Sequence, residues 1–242
     1  MRNSWLVVAL LLACVTEARA EGINISWDDC GPAGPSVKKF ACDENAGLPF
    51  VLIGSFYPPE SVDEYLGFSA ALDIDFDQDP AVPDWWHFGN GQCRGSALSV
   101  GFDFISGPYT CLDPFYGQAT GGFQYEVGFS AAHHARLRIQ AGVPLAAVGS
   151  LDPGWEYYAF RVRIQRSKAT GSDSCSGCDR PGCIAFNEVQ LFQPPERGYD
   201  PIITAPANNS LAGWQGYDCR PCTCPAERVS LGQVLCRFRD RF

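Results

Sequence analysis

Asp73, Asp75, Asp77 and Asp79 stand at alternate positions, and Asp84 follows at the twelfth position counted from Asp73. Carboxylates so spaced are the hard oxygen donors of Ca²⁺ loops, and Asp73, Asp75, Asp77 and Asp84 form a candidate calcium set. Gln78 occupies the sixth place, where such a loop needs glycine, and Pro80 and Pro83 interrupt the run, so it is not an EF-hand. The competing reading is the solvent face of a strand running into an acidic loop. Successive carboxylates on a strand face lie about 7 Å apart, so only those at its end reach one ion. Close by, Asp84-Trp85-Trp86-His87-Phe88 lies between Pro83 and Gly89. Aromatic planes beside a carboxylate suit a sugar, which has an apolar face and hydroxyls seeking acceptors, so Asp84, Trp85 and Trp86 are a candidate ligand site. At least one ring is expected at the surface or in a shallow groove. In the rival reading a tryptophan plugs the end of the fold.

Two further groups are weighed for chemistry. His133 and His134 are adjacent, and neighbours on a strand point to opposite faces, so they share a metal only if the chain turns there. With His87 as the third histidine, no HExxH and no nucleophile elbow, they read as ordinary strand or turn residues. Cys175-x2-Cys178-x4-Cys183 has the close spacing of a staple, open between disulfides and zinc, with Cys219, Cys222 and Cys224 able to complete a tetrahedral set. Export favours disulfides. The pairing expected from spacing is local: Cys30 with Cys42, Cys93 with Cys111, and two of Cys175, Cys178 and Cys183 with each other.

The elements that must position these residues read as strands. Tyr158, Phe160, Val162 and Ile164 alternate with Ala159, Arg161, Arg163 and Gln165, a period of two. The return run Cys183–Phe192 changes phase across Asn187-Glu188, which predicts a β-bulge, and the two runs are expected to form a hairpin around the cysteine loop. Pro49 to Phe56 is apolar on both faces and is expected to be a central strand covered on both sides; Pro58-Pro59 ends it. Ser61 with Glu64 leaves room for at most one helical turn. Strands follow around residues 65–76, 98–104, 123–129 and 137–139, with a short edge strand at 143–148 and a last one around Leu211 and Trp214. The fold class is therefore all-β: a β-sandwich or jelly-roll of roughly eight or nine antiparallel strands with disulfide-stapled loops.

Residues 1–20 read as a signal peptide, with Arg2, the apolar run Trp5–Val15 and the cleavage site Ala18-Arg-Ala20. A lipoprotein box ending at Cys14 is the alternative. No later stretch approaches the apolar length of a transmembrane helix. Cleavage leaves 222 residues with 16 basic and 26 acidic side chains and an odd eleven cysteines. Residues 21–217 are then the sandwich with an irregular N-terminal arm, and 218–242 a Cys/Arg-rich tail. The net charge of −9 for the whole chain repels phosphate backbones, and the body of the sequence shows no basic patch to offset it, so nucleic acid and other polyanions are not expected partners.

Phe50-Val-Leu-Ile-Gly-Ser-Phe-Tyr-Pro-Pro59, Pro83-Asp-Trp-Trp86, Gly117-Gln-Ala-Thr-Gly-Gly-Phe123, Tyr157-Tyr-Ala-Phe160 and Cys175-x-x-Cys178-x-x-x-x-Cys183-Ile together resemble a group of uncharacterised exported proteins of uncultured bacteria. The resemblance covers most of residues 24–215 and implies bacterial export without adding a catalytic residue. A looser, architectural similarity is to cohesin-type β-sandwich modules, which have few cysteines. Two functions are carried forward. One is a secreted, non-catalytic binding or surface-structural module for a glycan or an extracellular protein. The other is a secreted glycosidase-like hydrolase using carboxylates among Asp73–Asp84 with Glu126 or Glu188.

Overall fold

The computed structural model describes residues 21–106 and 111–219. The expected signal peptide, Cys14 and the tail beyond Cys219 lie outside them. The strands in chain order are β1 (Gly22–Trp27), β2 (Val37–Lys38), β3 (Phe50–Tyr57), β4 (Val62–Tyr65), β5 (Gly67–Asp75), β6 (Leu98–Gly101), β7 (Thr120–Val127), β8 (His134–Gly142), β9 (Gly149–Leu151), β10 (Tyr157–Ile164), β11 (Gly182–Phe192), β12 (Ile202–Ile203) and β13 (Leu211–Trp214). They form a four-stranded sheet in the order β1-β3-β10-β6 and a seven-stranded sheet in the order β2-β13-β11-β5-β8-β7, with β12 also on β11; β4 and β9 pair apart. All pairs are antiparallel except β13 with β2. The fold is an all-β sandwich, and the only helical pieces among the described residues are single 3₁₀ turns. No helix among the described residues is long and apolar enough to cross a membrane.

The patterns of alternation explain which faces meet. Phe50, Leu52 and Phe56 of β3 and Val162 and Ile164 of β10 face the seven-stranded sheet, which contributes Phe68, Leu72, Ile74, Phe186, Val189 and Leu191. Val51 and Ile53 turn the other way, under Phe104 and Tyr158. β3 is thus a central strand buried along its length, as its two apolar faces require. The register of β11 against β5 shifts between Phe186 and Glu188, where the change of phase predicts it. A second shift, in β10 between Tyr158 and Phe160, puts those two rings on opposite faces although the sequence places them on one.

Four expectations are corrected. β10 and β11 are not a hairpin: they lie in different sheets, and Phe160 meets Phe186 across the core with ring centroids 5.3 Å apart. Facing each other across the sandwich, the two strands bury their apolar faces in one core. The N-terminal arm is not irregular throughout, because Ile23, Ile25 and Trp27 alternate with Asn24 and Ser26 as a buried strand on the edge of β3. Residues 62–65 extend instead of coiling, and 145–147 coil instead of extending, after Pro144, which has no N–H for a ladder.

The disulfides depart furthest from the local pairing read from spacing. They join Cys30 to Cys111, Cys42 to Cys178, Cys93 to Cys175 and Cys183 to Cys219. Cys30, Cys42, Cys93, Cys111, Cys175, Cys178 and Cys183 are all bridged, but each partner comes from a distant segment brought near by the sheets, with Cα atoms 5.4–6.1 Å apart. Four such bonds point to an oxidising compartment, extracellular or periplasmic.

Gly54 supplies one packing test. A Cβ there would run into the Phe160 ring, so β3 needs glycine where that ring crosses it. Gly54→Ala is expected to lose about 1–3 kcal/mol through overpacking. The urea midpoint should fall at unchanged m; an unchanged midpoint would mean that the ring moves aside freely.

Candidate functional site

The Asp84–Trp86 segment is one 3₁₀ turn whose tryptophans point inward: Trp85 is 0% exposed and Trp86 1%. Their rings lie 5.2 and 5.0 Å from that of Trp214, and Trp85 also meets Phe50. Arg94, itself buried, backs the turn. Its Nε donates to Ser167 O and Nη1 to Trp85 O, both at 2.9 Å, Nη2 donates to Gln165 O, and the guanidinium lies 3.4 Å from the centre of the Trp85 ring. Burial lowers its pKa to about 9, still well above neutrality, so the cation persists against carbonyl dipoles and the ring face. Trp85 and Trp86 are therefore core plugs and not a sugar platform, and Asp84 accepts a hydrogen bond from Ser176 Oγ at 3.2 Å.

The proposed calcium residues are separately engaged. Asp73 receives Arg136 through two bonds of 2.6 and 2.7 Å and Asn187 through a third. Asp77 accepts from the Tyr217 hydroxyl, and Asp79 holds Arg180. No three of Asp73, Asp75, Asp77 and Asp84 come together; among the described residues the group of ligand-type side chains whose donor atoms lie within 4.8 Å of one another is Asp75, His133 and His134. The reason is local. Gly128 and Ser130 take positive φ in the turn before β8, and that turn sets His133 at its end, on the same side as His134. Asp75 is the cross-strand partner of His134. Their Nε2 atoms approach Asp75 Oδ1 at 3.7 Å from His133 and 3.1 Å from His134.

A second arrangement gathers charge of the opposite sign. A groove of about 510 Å³ runs along Asp28, Lys38, Lys39, Phe40, Leu48, Phe50, Arg161, Arg163 and Arg166. Of the eleven lysines and arginines in residues 21–219, five line it, against one acid. β2 and its continuation bring the lysines; β10 and the residue pair after it bring the arginines. Lys38 pairs with Asp28, and Arg166 with Glu44 and Leu48 O. Lys39 and Arg163 have no acidic partner among the described residues. Burial, and then the Arg166 charge, hold the Lys38 ammonium below its ordinary pKa. The floor is apolar, with Arg166 4.8 Å from the centre of the Phe50 ring and Leu48 82% exposed.

The expectation that the body of the chain holds no basic patch is thus corrected. The patch is assembled from residues about 120 positions apart, where Arg161 and Arg163 read as the polar face of a strand. The signal available in sequence was Arg161-x-Arg163-x-x-Arg166 in an acidic chain. A scan against protein-family models and a search of curated proteins both return no match to this chain, which leaves the chemistry of the groove and of the Asp75–His133–His134 group as the ground for its function.

Proposed function

We propose that the protein is an exported, non-catalytic binding module that holds an acidic glycan, bearing carboxylate or sulfate groups, in the cationic groove. The observation that carries this reading is the concentration of five cations beside exposed Leu48 and the Phe40 and Phe50 floor. Guanidinium groups pair with planar or tetrahedral oxyanions through two parallel bonds, and exposed Leu48 offers an apolar contact beside them. The volume suits a few sugar residues. A long nucleic acid would leave the groove for an acidic surface, so a short anionic ligand fits the charge distribution better. The single lining acid, Asp28, is held by Lys38, which leaves the groove charge for binding and no free acid/base pair. Disulfides and the Ala18-Arg-Ala20 cleavage motif support export.

Calorimetric titration with uronate-bearing and sulfated oligosaccharides is expected to show binding that neutral counterparts lack. Arg163→Ala should weaken it about 5–10-fold, the loss of one partly exposed charge-assisted contact. Raising NaCl to 0.5 M should weaken it further, since about 4 Å of Debye length then screens the groove. Equal binding of neutral sugars, or no change in Arg163→Ala, would overturn the site. Equal affinity for an acidic peptide would move the ligand from glycan to protein.

A further inference from the structure

Asp75, His133 and His134 carry a reading of a different kind. Asp75 closes β5 and His134 opens β8, so the pair sits at one end of the seven-stranded sheet, where strand geometry no longer separates neighbouring side chains. His133 belongs to the turn and is fixed by its carbonyl, which accepts Phe76 N–H at 3.1 Å; the two imidazoles then stand edge to face with centroids 4.3 Å apart. Asp75 Oδ1 is shielded from water and accepts no well-aligned hydrogen bond, although two Nε2 atoms are beside it. A buried carboxylate oxygen in that position costs free energy unless a positive charge meets it.

We propose that Asp75, His133 and His134 bind one divalent transition cation, of which Zn²⁺ is the probe. Two ligands at 2.0–2.1 Å from a tetrahedral zinc stand about 3.3 Å apart. The observed separations of 3.1 and 3.7 Å from Asp75 Oδ1 bracket that edge, before any contraction onto an ion. Ser130 Oγ lies 3.1 Å from His134 Nδ1. The tautomer that donates Nδ1–H to Ser130 presents the Nε2 lone pair toward Asp75, and such a partner on the far nitrogen orients a metal-ligating imidazole. Two nitrogen donors and one oxygen suit zinc, copper or nickel and are a poor set for calcium. A water or a donor from a partner completes the fourth position.

The test uses the full chain with free thiols alkylated, so that cysteine sulfur does not contribute. Equilibrium dialysis with ZnCl₂ at pH 7.5 is expected to give one site of micromolar or tighter Kd, with CaCl₂ in the same range giving none. His134→Ala and Asp75→Asn should each weaken binding at least tenfold, while Asp77→Asn leaves it unchanged. Binding should fall on acidification, because imidazolium cannot ligate. As a measurement that needs no variant, Co²⁺ should shift or broaden the ring proton resonances of His133 and His134 in the wild-type protein ahead of those of His87. No zinc binding, zinc binding indifferent to both substitutions, or cobalt effects away from this pair would overturn the proposal.

Discussion

Trp85→Ala is expected to cost about 3–5 kcal/mol and to be read as loss of fold, not loss of ligand. Trp85 touches Trp86, Phe50, Phe88 and Trp214 and carries the Arg94 guanidinium on its face. Removing it opens a cavity and deprives a buried cation of its ring. The indole N–H itself has no acceptor, so Trp85→Phe keeps most of the packing and gives up nothing polar; its loss should be smaller, about 1–2 kcal/mol. Denaturant unfolding followed by intrinsic fluorescence separates the two. An alanine variant as stable as wild type would show that the ring is dispensable to the core.

The second large effect is expected from Cys42→Ser with Cys178→Ser. Their bond closes a separation of 136 residues, the longest of the four, for which the chain-entropy account gives about 5 kcal/mol. It ties the segment before β3 to the cysteine loop before β11, beside Gln215, whose side-chain amide donates to Cys178 O and Phe40 O. The double variant should melt well below wild type under oxidising conditions, whereas loss of Cys183–Cys219, with a separation of 36, should cost less. Equal melting temperatures for the two double variants would contradict the loop-length ordering.

What was legible in sequence was whatever depends on a few consecutive residues. The two-faced apolar run of β3 and the change of phase at Asn187-Glu188 are local facts, and both reappear as a covered strand and a register shift. Disulfide partners are not local facts, since Cys42 and Cys178 meet only because two sheets place them together. The same holds for the tryptophans. Between Pro83 and Gly89 they look like loop tips, but their rings pack inward on Trp214, and Arg94, bonded to carbonyls of residues 165 and 167 that no spacing rule links to it, lies on the Trp85 face. The histidine pair failed more narrowly: alternation excludes a shared ion on a strand, and the chain turns there after Gly128 and Ser130 take positive φ. Of the aspartates, Asp75 alone belongs to that group, because its cross-strand neighbour is His134, whereas Asp73 faces Arg136.

The order of the bridged cysteines along the chain has a consequence for a protein exposed to extracellular proteases. The Cys30–Cys111, Cys42–Cys178 and Cys93–Cys175 loops overlap, and Cys183–Cys219 closes a separate loop after them. One backbone cut anywhere from residue 30 to 177, or from 183 to 218, therefore leaves both fragments covalently joined. Among the described residues between Cys30 and Cys219, the exception is the short connection Cys178-Asp-Arg-Pro-Gly-Cys183, which no disulfide spans. Its one basic residue, Arg180, precedes a proline, a bond that trypsin-like enzymes cut poorly, and its guanidinium is held by Asp79. Between Cys30 and Cys219, the one stretch where a nick would sever the chain is thus also one that trypsin-like enzymes are badly placed to cut.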